Sequence, residues 1–416
     1  MPTNLAYGKQ KIAFDFDENL FDILGKNDAE IALSDAEIGD AFDNPFDSKT
    51  LEEIINPSET VLIVVPDATR TSASGQIVNL LVRRLIANGT MPFDIRIIFA
   101  VGLHRQPTET EKKELLTPFI YQRIKHLEHN PRDLVQLVKL GFTKRGTPIE
   151  LNKALLEHDH VITIGSINWH YFAGFGGGRK LICPGLASTR TINETHKLAF
   201  DFDKKNRREG VGTGLLEGNA VHEEFIEIVE KINPAFSINT ITDDNNEATK
   251  IFCGNWKTSH ELACKYFADN YSLQVAEKRE VVIVSCGGFP HDLNIIQAHK
   301  ALENASNICE ENGTIIWLAE CSEGLGKNDF LKWFEYETSE NLAEKLSESY
   351  QVNGQTAWSL LKKAEKFNVI LVSDLPENEA RKMKLKTAKN LDEAMAKVKN
   401  KRGYILPFGA KYFVKM

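Results

Sequence analysis

The amino-acid sequence predicts an α/β protein of two domains whose sheets are mainly parallel. Three observations favour this class: short β-branched runs recur, each is followed by a loop and an amphipathic helical pattern, and the alternation restarts after a break. A chain of 416 residues is also too long for one ordinary hydrophobic core. We therefore expect an N-terminal domain over residues 1–270 and a C-terminal domain over residues 271–416.

The first half of the chain contains three runs typical of buried parallel strands, at 60–65, 95–101 and 160–165. Between the first two runs, apolar residues at helical spacing predict a helix that ends near Gly89. After the second run, Thr108 and Glu111 have the spacing of a capping box, which predicts the start of another helix. A further amphipathic helix is expected at 220–231.

The second half repeats this pattern. A strand is predicted at 280–286, and Asp292 is a suitable cap for a helix over 293–305. Gln297 and Lys300 lie three residues apart on that helix and therefore share a face, which could be plain helix surface. Two further strands are expected at 314–319 and 369–373.

Composition argues against several functional classes. The formal net charge of −8 disfavours general binding to nucleic acid or to an anionic membrane. The sequence has no apolar run near the roughly 18 residues of a membrane span, and its N-terminus lacks an apolar signal core, so we expect a cytoplasmic protein. The cysteines form no C-x-x-C pair, which favours buried or reduced thiols over a zinc site or a disulfide framework. They are Cys183, Cys253, Cys264, Cys286, Cys309 and Cys321.

The segment 167–185 is unusual because a run of glycines lies between His170 and Lys180. It is not a Walker phosphate loop, since Leu181 stands where Ser or Thr would hold Mg²⁺. It is not a dinucleotide fingerprint either, because the proline and glycine that follow do not open a helix. The pattern indicates a glycine-lined pocket with a lysine and leaves its ligand open. The glycines are Gly174, Gly176, Gly177 and Gly178.

Polar residues lie just beyond the carboxyl ends of the predicted strands. Asp67 and Arg70 follow the first strand, His104 follows the second, and His170 follows the third. The carboxyl ends of parallel strands share one edge of a sheet, where ligands bind, so these side chains could converge. Each also has an ordinary interpretation: a turn salt bridge for the acid and arginine, a structural or exposed role for a histidine, and a solvated or anion-binding role for Lys180.

Taken together and in order, these blocks resemble the nickel-pincer lactate racemase family. The resemblance covers roughly 60–200 and 280–305. Several dispersed motifs in the right order are more specific than a lone glycine pattern. The matching motifs are Asp67-x-x-Arg70, Gly102-Leu-His104-Arg105, the block from His170 through Lys180 to Gly185 with His196 sixteen residues beyond Lys180, and Gly287-Gly-Phe-Pro-x-Asp292-x-Asn294-x-x-Gln297-x-x-Lys300.

The resemblance implies a cofactor, a nickel-pincer nucleotide (pyridinium-3-thioamide-5-thiocarboxylic acid mononucleotide with nickel). In the family pattern Lys180 carries it through a thioamide bond. His196 supplies the remaining nickel ligand, a role that suits a neutral imidazole. The glycines would let the backbone lie against this group. Separate cofactor-maturation enzymes would make and install it, and they are the expected protein partners.

The resemblance also implies racemisation or epimerisation of a 2-hydroxy acid, lactate-like or larger, by proton-coupled hydride transfer. His104 and His170 would act as acid and base on opposite faces of this small-molecule substrate, because imidazole titrates near neutral pH. The active site would lie in the cleft between the two domains. Asp67 would orient Arg70 or another neighbour rather than react. The expected substrate-binding residues are Asp67, Arg70, Gln297 and Lys300.

Two other functions stay open. A non-redox protein that binds a nucleotide or a sugar acid could have the same fold, although the presence of all four cofactor and acid–base residues speaks against it. An NAD-dependent hydroxy-acid dehydrogenase would need a G-x-G-x-x-G turn after a strand, which the sequence lacks. The resemblance gives no role to Arg179 or Cys183, and His222 and His260 are interpreted as structural or exposed.

Overall fold

The computed structural model describes residues 3–25, 30–398 and 401–416. They form two compact units, both α/β. The N-terminal unit comprises residues 30–199 and 210–269. The C-terminal unit comprises the described residues of 1–28, 200–209 and 270–416.

The strands are short and alternate with helices along most of the chain. Their bounds are β1 (Thr3–Tyr7), β2 (Gln10–Phe14), β3 (Phe21–Ile23), β4 (Val61–Pro66), β5 (Ile95–Ala100), β6 (Lys125–Leu127), β7 (Leu137–Phe142), β8 (Pro148–Asn152), β9 (His160–Ser166), β10 (Trp169–His170), β11 (Gly174–Phe175), β12 (Phe200–Asp201), β13 (Asn206–Arg207), β14 (Phe236–Thr242), β15 (Ala248–Gly254), β16 (Ser272–Gln274), β17 (Arg279–Ser285), β18 (Cys309–Leu318), β19 (Asn368–Val372), β20 (Lys386–Ala388), β21 (Gly403–Leu406) and β22 (Phe413–Lys415).

The helices range from one turn to four turns. The α-helices are α1 (Asp35–Asp43), α2 (Leu51–Ile54), α3 (Ser74–Ala87), α4 (Glu109–Arg123), α5 (Thr189–Lys197), α6 (Ala220–Val229), α7 (Thr258–Tyr271), α8 (Ile295–Ile308), α9 (Ser339–Glu348), α10 (Val352–Lys366), α11 (Glu377–Lys382) and α12 (Leu391–Met395). Short 3₁₀ helices lie at Pro92–Asp94, Lys153–Leu155, Gly178–Leu181 and Phe330–Tyr336.

The N-terminal unit is organised around a six-stranded sheet with the order β15-β14-β9-β4-β5-β6. Its neighbouring strands are parallel except β14 and β15. Strand β4 is buried along its whole length, which explains the continuous β-branched run in the sequence. Because Pro66 of β4 lies opposite Ala100 of β5, the loops that follow these strands leave the sheet at the same edge.

The C-terminal unit contains a second six-stranded sheet, β20-β19-β18-β17-β21-β3, in which every pairing is parallel. The expected α/β class with mainly parallel sheets is therefore confirmed. The grouping of the chain differs from a division at residue 270. Strand β3 pairs with β21, which places residues 3–25 in the C-terminal unit. Residues 200–209 also belong there, and Arg207 pairs with Glu303 of α8 at 2.6 Å.

Local signals in the sequence account for several helix boundaries. The Thr108 hydroxyl accepts from the backbone N–H of Glu111, and the Glu111 carboxylate accepts from the N–H of Thr108, so the predicted capping box is confirmed. The prediction that Asp292 caps the next helix is wrong. Asn294 is the cap of α8, and Asp292 instead accepts from the N–H of Gly8 at 2.7 Å. Asp292 is thus used to hold the N-terminal hairpin of the same unit.

The cysteines confirm the expected class of buried thiols, since all six are buried and free. In the part of the chain that the structure describes, no helix is both long enough and apolar enough to cross a lipid bilayer.

Candidate active site

Asp67 and His104 form a pair at the carboxyl edge of the N-terminal sheet. Asp67 follows β4 and His104 lies in the loop after β5, and the Asp67 Oδ2 to His104 Nδ1 distance is 2.7 Å. The other carboxylate oxygen, Oδ1, accepts from the backbone N–H of Thr69 at 2.8 Å and from its hydroxyl at 2.5 Å. The adjacency of two parallel strands thus brings together residues that are 37 positions apart in sequence.

The electrostatics of this pair fix the hydrogen on His104. Burial alone would raise the pKa of Asp67, but the charge and hydrogen bond of His104, the charge of Arg70 and the hydrogen bond of Thr69 hold that pKa well below its usual range. A carboxylate only accepts hydrogen bonds, so Nδ1 of His104 carries the hydrogen. The neutral ring therefore has its lone pair on Nε2. The His104 side chain is 36% exposed, so small molecules can reach it.

The loop that carries His104 is tied to the segment that carries Lys180. The N–H of Gly102 donates to the carbonyl of Gly185 at 2.9 Å, and the N–H of His104 donates to Val101 at 2.8 Å. Gly102 has a φ of +52°, which suits glycine. These bonds hold the loop after β5 against the end of the 167–185 segment.

His170 lies in a tight hairpin in which β10 pairs with β11, and its side chain is buried. Its Nδ1 accepts from the backbone N–H of Ala173 at 3.2 Å. The neutral ring therefore carries its hydrogen on Nε2, opposite to His104. The edge-on ring of Phe172 separates this histidine from His196, with centroid distances of 4.4 Å to His170 and 5.0 Å to His196.

His196 is a neutral imidazole with a defined tautomer. It lies on α5, and burial, with the charge of Lys180, lowers its pKa to about 3. Its Nδ1 is 3.2 Å from the hydroxyl of Thr195, which itself donates to the carbonyl of Ile192 at 2.9 Å. The hydroxyl oxygen therefore accepts from Nδ1, and the lone pair of His196 is on Nε2. This is the arrangement that a metal-binding histidine requires.

Lys180 lies in the 3₁₀ turn Gly178–Leu181 and is half-buried. The backbone on both sides is fixed, since its N–H donates to Gly177 and its carbonyl accepts from Gly185, each at 3.0 Å. Its charge contributes to the lowered pKa of His196, so the amine lies within electrostatic range of the imidazole. Cys183, just beyond, is fully buried, and burial raises the pKa of its thiol, which makes it a packing residue.

The glycines of this segment make room for protein atoms. A Cβ on Gly174 would lie 2.2 Å from the carbonyl oxygen of Leu215, and one on Gly178 would lie 2.5 Å from the ring of His260. Both glycines have positive φ, at +77° and +46°. A side chain at either position would therefore collide with protein atoms, so glycine is required there for the packing of the segment itself. The glycine run shapes the segment that presents Lys180.

Two further predicted residues lie in the C-terminal unit. Gln297 and Lys300 are on the first turns of α8, both half-buried, and the Lys300 ammonium donates to the Gln297 side-chain oxygen at 2.9 Å. The structure therefore brings these two together on one helix face, as their spacing indicates. Across residues 3–25, 30–398 and 401–416, no group of three or more His, Cys, Asp or Glu side chains is arranged to hold a metal ion.

Some residues of the site do not stand out in the sequence. Thr69 could have been predicted, because an aspartate side chain often accepts from the backbone N–H two residues later in an Asx turn, as Asp67 does from Thr69. Thr195 and Phe172 carried no signal of their own, since their contacts to His196 and His170 depend on the folded backbone.

With this geometry in place, the comparisons with known proteins identify the family. The family model described as the lactate racemase N-terminal domain matches residues 7–208, and the model of the lactate racemase C-terminal domain matches residues 274–405. The chain belongs to the lactate racemase family. The resemblance read from the motifs is thereby confirmed, and the chain is an isomerase of the racemase class.

Curated relatives agree with this family assignment over most of the chain. The lactate racemase of Thermoanaerobacterium thermosaccharolyticum is 31% identical over 334 residues, which are 79% of this chain and 77% of that protein. The lactate racemase of Lactiplantibacillus plantarum is 30% identical over 431 residues, 99% of each chain.

Solved structures agree on the fold. The structure of the lactate racemase apoprotein from Thermoanaerobacterium thermosaccharolyticum has a TM-score of 0.90, 27% identity and complete coverage of both chains. A crystal structure of a Thermotoga maritima protein has a TM-score of 0.72 at 19% identity and covers 92% of this chain and 99% of that one, which shows the shared fold alone.

Proposed function

We propose that this chain racemises or epimerises a 2-hydroxy acid, lactate or a larger relative, with His104 and His170 as the acid–base pair. The observation that carries the proposal is the pairing of His104 with buried Asp67 at 2.7 Å, together with the opposite tautomer of His170. Neutral His104 presents a lone pair at Nε2, whereas neutral His170 presents a hydrogen at Nε2. A racemase that works by oxidation and reduction at C2 needs one group of each kind.

His104 in its resting tautomer is prepared to act as a base. Its Nε2 accepts the hydroxyl proton of the substrate, and the resulting imidazolium is stabilised by the carboxylate of Asp67. Asp67 keeps its negative charge throughout, because its pKa is held well below its usual range. Asp67 thus orients His104 rather than reacting itself, whereas the sequence favours Arg70 or another neighbour as its partner.

His170 in its resting tautomer presents a hydrogen-bond donor to the substrate. Its Nε2–H can donate a hydrogen bond to the oxygen of the 2-oxo acid while the N–H of Ala173 holds the ring by Nδ1. Full transfer of a proton to that oxygen starts from the imidazolium form, so that a neutral ring is left. For the opposite enantiomer the two histidines exchange roles, which needs both to change protonation near neutral pH. The burial of His170 keeps water away from that step.

The carboxylate of the substrate needs cationic and amide donors. We propose Arg70, Gln297 and Lys300 for this role. Arg70 is half-buried beside the Asp67 turn, and a guanidinium can hold a carboxylate through two parallel hydrogen bonds. The bond between Lys300 and Gln297 keeps both side chains on one face of α8, where they can bind the same anion.

Lys180 and His196 fit the nickel-pincer nucleotide that the family resemblance implies. The fit rests on the donor chemistry: His196 is neutral with its lone pair on Nε2, and the half-buried Lys180 is close enough to affect its pKa. When bound, this group would accept the C2 hydride and return it. Lys180 would hold it covalently, and His196 would contribute the imidazole that completes the nickel site. The proteins that assemble it are proposed partners.

The proposal is tested by a chiral assay on protein co-produced with cofactor-maturation enzymes. We expect a single enantiomer of lactate, or of another 2-hydroxy acid in a panel, to become racemic without added NAD. His104→Ala and His170→Ala should each lose about 10²-fold or more in rate, which is the usual contribution of a general acid or base, while keeping their nickel. Stoichiometric reduction of added NAD would favour a dehydrogenase. Binding of the acid without turnover, in protein that contains nickel, would favour a non-redox binding protein.

A further inference from the structure

Arg179 is a buried cation whose described hydrogen bonds are all with neutral groups. It is one of the largest fully buried side chains, with 1% of its surface exposed. Burial lowers its pKa to about 10, so it is still charged at neutral pH. Among the residues that the structure describes, no acidic side chain forms an ion pair with it. Burying an unpaired charge is costly, so this side chain needs an explanation beyond packing.

The guanidinium is bound to the backbone of the hairpin that carries His170. Its Nη2 donates to the carbonyl of Ala173 at 2.7 Å, and its Nη1 donates to the carbonyls of Phe175 at 3.0 Å and Gly176 at 3.2 Å. One planar, rigid group therefore fixes three carbonyls within four residues. Arginine suits this task because its donors point in fixed directions, which a lysine ammonium cannot match.

Ala173 connects this anchor to His170. Its carbonyl accepts from Arg179, and its N–H donates to Nδ1 of His170 at 3.2 Å. Because the same residue makes both contacts, the orientation of its backbone decides whether Nδ1 receives a donor. Arg179 thus acts on the ring through a single intervening residue.

His260 closes the other side of the anchor. Its Nε2 lies 2.8 Å from Nη1 of Arg179 and 3.0 Å from the carbonyl oxygen of Gly176. Burial and the charge of Arg179 lower the pKa of His260 well below its usual range, so it is neutral and adds no second charge. The sequence favours a structural or exposed role for His260, and the structure shows that it is buried and contacts Arg179.

We propose that Arg179 is a positioning residue for the reaction. It fixes the Ala173 backbone and thereby holds His170 in the tautomer with hydrogen on Nε2, where the ring can donate to the substrate oxygen. Arg179 contacts neither substrate nor cofactor in this proposal. The inference rests on the proposed acid–base role of His170.

The tautomer of His170 is measured by nitrogen NMR on protein with ¹⁵N-labelled histidine, using His170→Gln to assign its signals. This readout needs neither cofactor nor turnover. We expect the wild-type ring to be unprotonated at Nδ1 and protonated at Nε2. In Arg179→Lys, which keeps a cation but loses the planar fork, we expect a mixture of both neutral tautomers. A wild-type ring protonated at Nδ1, or an unchanged tautomer in folded Arg179→Lys, would overturn the proposal.

Kinetics with the cofactor installed supply the second readout. Arg179→Lys should lower kcat by roughly tenfold to a hundredfold, the scale of a misplaced catalytic group, with little change in KM. Leu81→Ala is the matched control, since Leu81 is buried in α3 and makes none of these contacts. It should lower the melting temperature and leave the His170 tautomer and kcat unchanged. A similar fall in kcat in this control would assign the Arg179 effect to general destabilisation.

If Arg179→Lys does not fold, His260→Leu decides the question. His260→Leu removes one contact of the guanidinium, keeps the arginine and leaves a side chain of similar volume at position 260. We expect the ratio of the two His170 tautomers to change in the same direction as in Arg179→Lys, but less. An unchanged ratio would contradict the proposal. Two variants distinguish the role of Arg179 from the role of His170. Full racemisation by His170→Ala would reject the role of His170 itself. Loss of racemisation in His170→Ala with native behaviour in Arg179→Lys would reject only the role of Arg179.

Discussion

Replacing Asp67 by asparagine reverses the tautomer of His104 while changing the shape of the side chain very little. The N–H of Thr69 donates to Oδ1 of Asp67 at 2.8 Å, so the amide oxygen of the asparagine must take that position. Its NH₂ group then faces Nδ1 of His104, where Oδ2 now lies at 2.7 Å. Nδ1 must become an acceptor, and the hydrogen moves to Nε2. The ring loses the lone pair that would accept the substrate proton.

The expected loss has two parts. A hydrogen bond to a charged group contributes about 1.5–3 kcal/mol, which corresponds to roughly 10- to 150-fold at about 1.4 kcal/mol per decade. The wrong tautomer adds to this, and in a Ser-His-Asp triad the same substitution costs about 10⁴-fold. We therefore expect Asp67→Asn to lower kcat by roughly 10²- to 10⁴-fold, with nickel content and the adduct on Lys180 unchanged.

The assay is racemisation of one enantiomer, measured by chiral chromatography at several substrate concentrations. Thr69→Val is the matched control, because it removes the hydroxyl donor to Asp67 and keeps the Asp67–His104 bond. It should cost less than about tenfold, the value of one hydrogen bond. A kcat for Asp67→Asn within roughly twofold of wild type, well below the cost of a lost charged hydrogen bond, would refute the base role of His104.

Two further predictions concern other sites. His196→Ala should lose bound nickel while the mass increment on Lys180 persists, because the imidazole completes the nickel site and the lysine holds the nucleotide. Metal analysis measures the nickel and intact mass measures the increment. Unchanged nickel content would contradict this prediction. The protein should also lose stability as pH falls below about 6.5. Several histidines stay neutral in the folded state, whereas the unfolded chain takes up protons on them. Each such histidine lowers the free energy of unfolding by up to ~1.4 kcal/mol per pH unit. Melting temperatures between pH 7 and 5 test this, and a constant value would contradict it. These histidines, with pKa values lowered by burial to about 4, 3, 3 and 3, are His129, His196, His222 and His299.

The sequence predicts the parallel strands well because their signal is local. A fully buried strand such as β4 must be apolar at every position, and the run from Val61 shows that directly. The capping box at Thr108 is local in the same sense, since both partners lie within one turn. Features of this kind need no knowledge of the rest of the fold.

Contacts between distant segments could not be predicted in the same way. The contact of Asp67 with His104 depends on β4 and β5 being neighbours in the sheet. The pairing of β3 with β21 joins segments from opposite ends of the chain. Asp292 and Asn294 are equally good caps by residue type, and the contact of Asp292 with Gly8 decides between them. Arg179 had no assigned role because its partners are backbone carbonyls, which leave no mark in the sequence.

Intact mass with nickel content, on protein co-produced with working maturation enzymes, shows directly whether this chain carries the cofactor. We predict a mass increment that maps to Lys180 and about one nickel per chain, as a single-histidine site with a tethered ligand requires. An unmodified Lys180 and no nickel, under conditions in which a control lactate racemase is fully matured, would contradict it.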